Sequence, residues 1–186
     1  MKRIFDIFTG TVFLVLLVIP MLLIFVSIYL SSGGPALYWS DRVGKNNKIF
    51  KMPKFRSMLA DMPDVATHLL VNPGEYLSPI GGFLRSTSLD ELPQLFSVIK
   101  GDMSIVGPRP ALYTQDDLIA LRIEKGVDKL LPGITGWAQV NGRDELSIFD
   151  KVAFDVEYLN RRSFWFDIKI LWLTFLKVVK REGVSH

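Results

Sequence analysis

The chain has 186 residues, 49% of them hydrophobic, and a mean hydropathy of +0.27, which favours a protein that contacts lipid. Its net charge of +3 suits an anionic membrane or a phosphate-bearing ligand, whereas no stripe of basic and aromatic residues indicates nucleic-acid binding. With no cysteine and two histidines, thiol chemistry and zinc sites of the Cys/His type are excluded, so catalysis has to come from Asp, Glu, Ser, Lys or Arg.

The first predicted element is an apolar segment, Val12 to Leu30, within a stretch that has no charged residue from Ile7 to Ser40. At about 1.5 Å per residue, a helix of this length matches the hydrocarbon thickness of a bilayer, so a straight transmembrane helix is one interpretation. A cleaved signal peptide is a second, because Lys2 and Arg3 precede the segment, although the apolar run is longer than the usual core of such a peptide.

A re-entrant helix, which enters and leaves the membrane on the same face, is the third interpretation. Pro20 lies in the middle of the run and clashes with the carbonyl of Leu16, which predicts a kink and two short arms. Basic residues flank both ends, and the positive-inside rule places both flanks in the cytoplasm. We therefore expect a re-entrant helix and turn over residues 1–36, and a cytoplasmic domain over residues 37–186.

The domain is expected to be mainly α with minor β. Loose alternation of apolar residues predicts short strands within residues 37–58. Apolar spacing predicts three helices, over residues 92–99 with Gly101 as the stop, 116–125 and 147–160. A last helix, from residue 166, has a wide apolar face and several lysines, so it is either a core helix or an amphipathic helix in the membrane interface.

Two adjacent carboxylates, Asp90 and Glu91, lie in the stretch RSTSLDELPQLFSVIKGDMSIVGPRP, from Arg85 to Pro110. A structural explanation is a capping box, with Ser88 as the N-cap and Glu91 three residues later. With Asp90 as the N-cap instead, Pro93 takes the tolerated third position of the helix. In both cases the positive end of the helix dipole favours an ionised carboxylate and attracts a phosphate.

A carboxylate that attacks a diphosphate needs cations nearby, because both groups are anionic. A divalent metal and Arg or Lys side chains on the phosphate oxygens would meet this need. Arg85 and Arg109, the latter between Pro108 and Pro110, are candidates, although a surface salt bridge is the simpler explanation of each. The sequence has no Walker loop and no Gly-x-Gly-x-x-Gly motif.

Three motifs together resemble the bacterial sugar transferase family: KFRSM (Lys54 to Met58), the Arg85 to Pro110 stretch, and PGITGWAQVNGR (Pro132 to Arg143). The resemblance covers nearly the whole chain, which looks like the minimal catalytic form of the family. It implies a monotopic phosphoglycosyl transferase that starts glycan assembly at the cytoplasmic face of a bacterial plasma membrane, with a re-entrant helix and amphipathic interfacial helices.

The resemblance also implies a reaction. Asp90 attacks the sugar-bearing phosphate of a UDP-sugar and expels UMP, and undecaprenyl phosphate then attacks the aspartyl phosphosugar. Glu91 binds the metal or handles a proton, and Mg²⁺ is held by Asp90 and Glu91. Substrate-binding or site-supporting roles follow for Lys54, Arg85, Arg109, Gln139, Asn141 and Arg143, although a glycine-rich structural turn explains the last three about as well.

One position departs from the family pattern. Many small members have a serine before the membrane proline, and this chain has Ile19, which cannot satisfy a backbone carbonyl freed by a kink. Two rival functions also stay open: a membrane-anchored scaffold that binds anionic lipid through residues 42–56, and a lipid-carrier phosphatase. No motif specifies the sugar, the downstream glycan or the oligomeric state.

Overall fold

A computed structural model describes residues 1–32, 34–59, 73–142 and 145–180. Within these residues the chain is predominantly helical with two small sheets, so the predicted class, mainly α with minor β, is confirmed. The helices are α1 (Lys2–Ser32), α2 (Gly81–Ser86), α3 (Gln94–Lys100), α4 (Asp116–Glu124), α5 (Trp137–Asn141), α6 (Ile148–Arg161) and α7 (Phe164–Lys180). The strands are β1 (Leu37–Val43), β2 (Ile49–Phe55), β3 (Ser104–Val106), β4 (Ala111–Leu112) and β5 (Gly133–Thr135).

Helix α1 runs from Lys2 to Ser32 with Pro20 inside it. Among the described residues it is the helix whose length and apolarity would suffice to cross a membrane. Its helical conformation continues on both sides of Pro20, so the division into two arms stays a prediction.

One face of α1 packs against the rest of the protein along most of its length. The guanidinium of Arg3 donates to two carbonyls at the end of α3, at 2.6 and 2.7 Å. Asp6, which is 1% exposed, accepts from the Ser104 hydroxyl at 2.9 Å and from the Ile105 N–H at 3.1 Å. Further along, the buried residues of this helix are Gly10, Met21 and Ile28. The helix is therefore an integral part of the fold, while its other face is apolar and exposed.

The predicted strands of residues 37–58 form the antiparallel hairpin β1–β2, to which β4 adds on the β1 side. In this register Tyr38 lies opposite Lys54 and Arg42 lies opposite Phe50. Directly opposite residues share a face of an antiparallel sheet, and alternate residues of one strand do so too. The side chains of Arg42 and Lys54 consequently lie on the same face.

Strands β3 and β5 pair in parallel, with Ser104 opposite Gly133 and Val106 opposite Thr135. This pairing brings the loop after β3 close to the backbone around β5. A Cβ on Gly136 would lie 2.0 Å from the carbonyl oxygen of Gly107, so the close approach requires glycine there. The GPRP and GITG segments are thereby held side by side.

The three predicted helices correspond to α3, α4 and α6. Gly101, with a φ of 105°, ends α3, and the Ser147 hydroxyl caps α6 by accepting from the Asp150 N–H at 3.1 Å. In helix α7, Phe166 and Ile170 are buried in the core, while the exposed aromatic residues include Trp165, Trp172 and Phe175. Its position in the membrane interface stays a prediction.

Candidate active site

The acid pair lies in a 3₁₀ turn, Leu89–Glu91, that precedes α3. Both predicted caps are wrong: Ser88 has a left-handed backbone (φ 57°) and its side chain caps nothing, and the residue before α3 is Pro93, not Asp90. Pro93 has no N–H to donate to Leu89, and the N–H of Leu92 bonds that carbonyl at 3.3 Å instead. The proline thus favours the tighter turn that carries the two carboxylates.

Asp90 is a buried carboxylate with both positively and negatively charged side chains near it. It is 8% exposed, and burial raises its pKa above the ordinary value. The positive charge of Lys54 lowers the pKa, the negative charge of Glu91 raises it, and Arg85 and Arg109 lower it. Three predicted phosphate-binding cations therefore act on this one carboxylate.

Glu91 holds two of these cations directly. The Nζ of Lys54 lies 2.8 Å from Glu91 Oε1, and Nη2 of Arg109 lies 3.5 Å from the same oxygen. The Lys54 and Glu91 side chains are 17% and 12% exposed, so little water screens this contact. Glu91 accordingly orients the cations beside Asp90.

Arg85 reaches the site from α2, and its Nη1 lies 3.5 Å from the sulfur of Met58. Met58 ends the KFRSM motif, and Arg85 begins the acid-pair motif. The structure therefore brings together Lys54, Arg85, Asp90, Glu91 and Arg109, which come from three separate segments of the chain.

Two residues of the site were not singled out from the sequence. A cleft beside Glu91 is lined by Arg42, Met52, Lys54, Glu91, Gln94, Arg109, Pro110 and Gly133. Burial and the charge of Arg109 lower the pKa of Arg42 to about 10, while Glu91 and Tyr38 oppose this shift. Gln94 is 2% exposed, at the start of α3. Strand alternation places Arg42 on the Lys54 face, but only once the hairpin register is known.

The third motif is divided among different environments. Gln139 is buried in α5, and its amide Nε2 and Oε1 have no hydrogen-bond partner. Asn141 is exposed, and its amide donates to the Trp137 carbonyl at 2.7 Å, which is a contact within α5 itself. Arg143 lies outside the described residues.

The side chains at this site could bind Mg²⁺ only together with oxygen atoms of a substrate. No group of three or more acidic or histidine side chains forms a metal site within the described part of the chain. Magnesium, however, is usually bound through one or two carboxylates together with phosphate oxygens and water. The adjacent carboxylates of Asp90 and Glu91 fit that mode.

The comparisons with known proteins agree with the three motifs. The profile described as "Bacterial sugar transferase" matches residues 1–181. The chain belongs to the bacterial sugar transferase family. A family member from Komagataeibacter xylinus named undecaprenyl-phosphate glucose phosphotransferase is 44% identical, over 100% of this chain and 36% of the relative.

Two other members of the family show different coverage. The UDP-glucose:undecaprenyl-phosphate glucose-1-phosphate transferase of Escherichia coli (strain K12) is 41% identical, over 95% of this chain and 40% of the relative. An uncharacterized sugar transferase, EpsL, of Bacillus subtilis (strain 168) is 42% identical, over 100% of this chain and 91% of the relative. The chain thus spans well under half the length of the first two relatives.

Proposed function

We propose that this chain transfers a sugar 1-phosphate from a UDP-sugar to undecaprenyl phosphate, releasing UMP, as the first membrane step of a glycan assembly. The observation that carries the proposal is the buried Asp90 carboxylate beside Glu91, under the charges of Lys54, Arg85 and Arg109. If the two carboxylates served only to cap a helix, three cations beside them would not be required.

The first half-reaction uses Asp90 as the nucleophile. Its carboxylate oxygen bonds to the phosphorus that bears the sugar, the P–O bond to the leaving group breaks, and its electron pair departs with UMP. Lys54, Arg85 and Arg109 neutralise the diphosphate oxygens, which lets two anions approach each other. Arg42 lines the same cleft and adds a fourth positive charge.

In the second half-reaction, a phosphate oxygen of undecaprenyl phosphate bonds to the same phosphorus. The bond to Asp90 breaks, and the carboxylate is regenerated. Glu91 keeps Lys54 and Arg109 in place through both halves. Asp90 and Glu91 would hold Mg²⁺, which when bound would neutralise charge on the diphosphate.

The substrates are proposed from the relatives and from the site. Relatives are named as glucose or galactose transferases that act with undecaprenyl phosphate, so UDP-hexoses are the first substrates to test. The orphaned amide of Gln139 is proposed to contact the nucleotide or the sugar, because a buried amide without a partner is costly. Asn141 and Arg143 are proposed for the same part of the substrate.

The membrane arrangement is proposed to be monotopic, on the cytoplasmic face. Contacts between α1 and the domain extend from Arg3 to Ile28, so a helix standing upright in the bilayer would draw polar domain surface into hydrocarbon. A shallow re-entrant α1, bent at Pro20, avoids this. The exposed aromatic residues and lysines of α7 would lie at the interface and contact anionic lipid.

The proposal is tested by UMP release. The purified chain is supplied with Mg²⁺, undecaprenyl phosphate and, in turn, UDP-glucose, UDP-galactose, UDP-N-acetylglucosamine and UDP-N-acetylgalactosamine. We expect lipid-dependent UMP from at least one sugar and none from the Asp90→Asn variant. Inorganic phosphate released from the lipid carrier without UMP would instead support the phosphatase, and membrane binding without either product would support the scaffold.

A further inference from the structure

A second arginine, Arg122, contacts the backbone of the GPRP loop, which carries Arg109. The Nη1 of Arg122 donates to the backbone carbonyl of Arg109 at 2.9 Å. Arg122 belongs to α4, and it is not among the residues that line the cleft beside Glu91 in the described structure. Arg122 lines a different cavity, together with Pro108 and Ala111, so it contacts the loop that carries the candidate phosphate-binding residue without lining the cleft beside Glu91.

The Arg122 guanidinium is itself fixed by a buried carboxylate. Its Nε and Nη2 both donate to Oδ2 of Asp155, at 3.0 and 2.7 Å. The two side chains are 12% and 1% exposed, so the ion pair is largely withdrawn from water. Because Asp155 lies on α6, this contact joins α4, α6 and the loop in one network.

The geometry of the loop explains why such a contact matters. Pro110 restricts Arg109 to an extended backbone, and Pro108 has a fixed φ. The carbonyl of Pro110 accepts from Nη1 of Arg42 at 3.2 Å, so successive carbonyls are held from two sides. Fixing these carbonyls fixes the direction in which the Arg109 side chain leaves the backbone.

We propose that Arg122 and Asp155 are positioning residues that orient Arg109 toward the sugar-bearing phosphate. This inference rests on the proposed transferase function. A lysine at position 122 could not reproduce it, because the three hydrogen bonds need the planar fork of a guanidinium. Arg122 and Asp155 act through Arg109, and a change in either alters catalysis only while Arg109 is present.

The test is a double-mutant cycle on UMP release. Since Arg122→Gln alone would leave Asp155 as a buried unpaired charge, the pair is replaced together, as Arg122→Gln with Asp155→Asn. The matched control is Val152→Ala, which disturbs the same α4–α6 contact, where Val152 packs with Leu118 and Ala111, without touching the hydrogen bonds to the loop.

We expect the paired variant to lower kcat/KM by about tenfold to a hundredfold, the effect of a misplaced binding group. In an Arg109→Gln background the same replacement should change kcat/KM by less than about twofold. Val152→Ala should keep near-normal kcat/KM even at an equal loss of thermal stability. Equal effects with and without Arg109, or an equal loss of activity in Val152→Ala, would overturn the proposal.

A binding experiment separates this inference from the proposed function. If the wild-type chain releases no UMP, the transferase proposal fails, and the positioning role is judged by calorimetry with UDP. Weaker UDP binding in both Arg109→Gln and the paired variant, with normal binding in Val152→Ala, supports the positioning role. UDP that binds the wild type and the paired variant equally, or binds neither, contradicts it.

Discussion

Lys54 Nζ lies 2.8 Å from Glu91 Oε1, and this ion pair links the strand of one motif to the acid pair of another. Replacing Lys54 by methionine leaves the largely buried Glu91 carboxylate with a weaker set of partners. We expect a loss of about 1–3 kcal/mol in the free energy of unfolding, measured by denaturant titration. Adding Glu91→Gln should recover most of the stability but none of the activity. Additive stability losses would show that the two side chains do not interact.

The protonation of Asp90 gives a pH dependence with a defined sign. Burial raises its pKa above 3.8, and the ionised form is the nucleophile, so kcat/KM falls as pH falls through the raised pKa. Lys54 is the largest charge favouring the ionised form, so Lys54→Met should move this acid limb to higher pH. An acid limb that does not move in a pH–rate profile, or moves to lower pH, would contradict this assignment.

The same pKa shift predicts the stability of Asp90→Asn. A carboxyl group whose pKa is higher in the folded than in the unfolded state contributes stability at low pH, and that contribution is lost as pH rises through the folded pKa. At neutral pH the charge therefore disfavours folding, and removing it should leave the thermal midpoint unchanged or higher. A lower midpoint for the variant at pH 7 would mean that the surrounding cations outweigh burial.

A substitution of Gln139 can distinguish a role in substrate binding from a role in stability. Its buried amide has no partner, so Gln139→Met should leave the free energy of unfolding unchanged or raise it by about 1–2 kcal/mol. If the amide contacts the substrate, the KM for the UDP-sugar should rise about tenfold in the same variant. Val140→Ala, which changes a core residue of α5 without a proposed substrate role, is the control and should leave this KM unchanged. An unchanged KM in Gln139→Met would leave the residue without a substrate role.

The topology of α1 can be read by cysteine labelling, since the chain has no cysteine of its own. Ile4 and Leu30 are 74% and 76% exposed and lie near opposite ends of the helix. In inverted membrane vesicles, an impermeant maleimide should label both Ile4→Cys and Leu30→Cys, because a re-entrant helix returns to the cytoplasmic face. Labelling of the two positions from opposite sides would show that α1 spans the bilayer.

Helix ends with local signals were predictable from the sequence. Gly101 stops α3 in a left-handed conformation that glycine adopts at no steric cost, and Ser147 caps α6 with its own hydroxyl. The turn at Leu89–Glu91 was not predictable in this way, because two cap patterns competed there. The missing N–H of Pro93 removes the α-helical bond to Leu89, and neither cap forms.

Contacts between residues far apart in the sequence could not be predicted from local sequence patterns. Arg42 joins the site only through the register of the β1–β2 hairpin, and Arg122 reaches the GPRP loop from a different helix. Lys2 and Arg3 supported the positive-inside argument, yet Lys2 pairs with Asp167 at 2.7 Å and Arg3 bonds the end of α3. A charge next to an apolar segment can therefore serve tertiary packing as well as topology.

The most direct test of the central claim is to trap the intermediate on Asp90. The purified chain is incubated with Mg²⁺ and the UDP-sugar that supports UMP release, but without undecaprenyl phosphate, and is examined by intact-protein and peptide mass spectrometry. We predict one added sugar phosphate on the peptide that contains Asp90, its absence in Asp90→Asn, and its loss when undecaprenyl phosphate is added. Full UMP release by Asp90→Asn, or a sugar phosphate on another residue, would contradict the account.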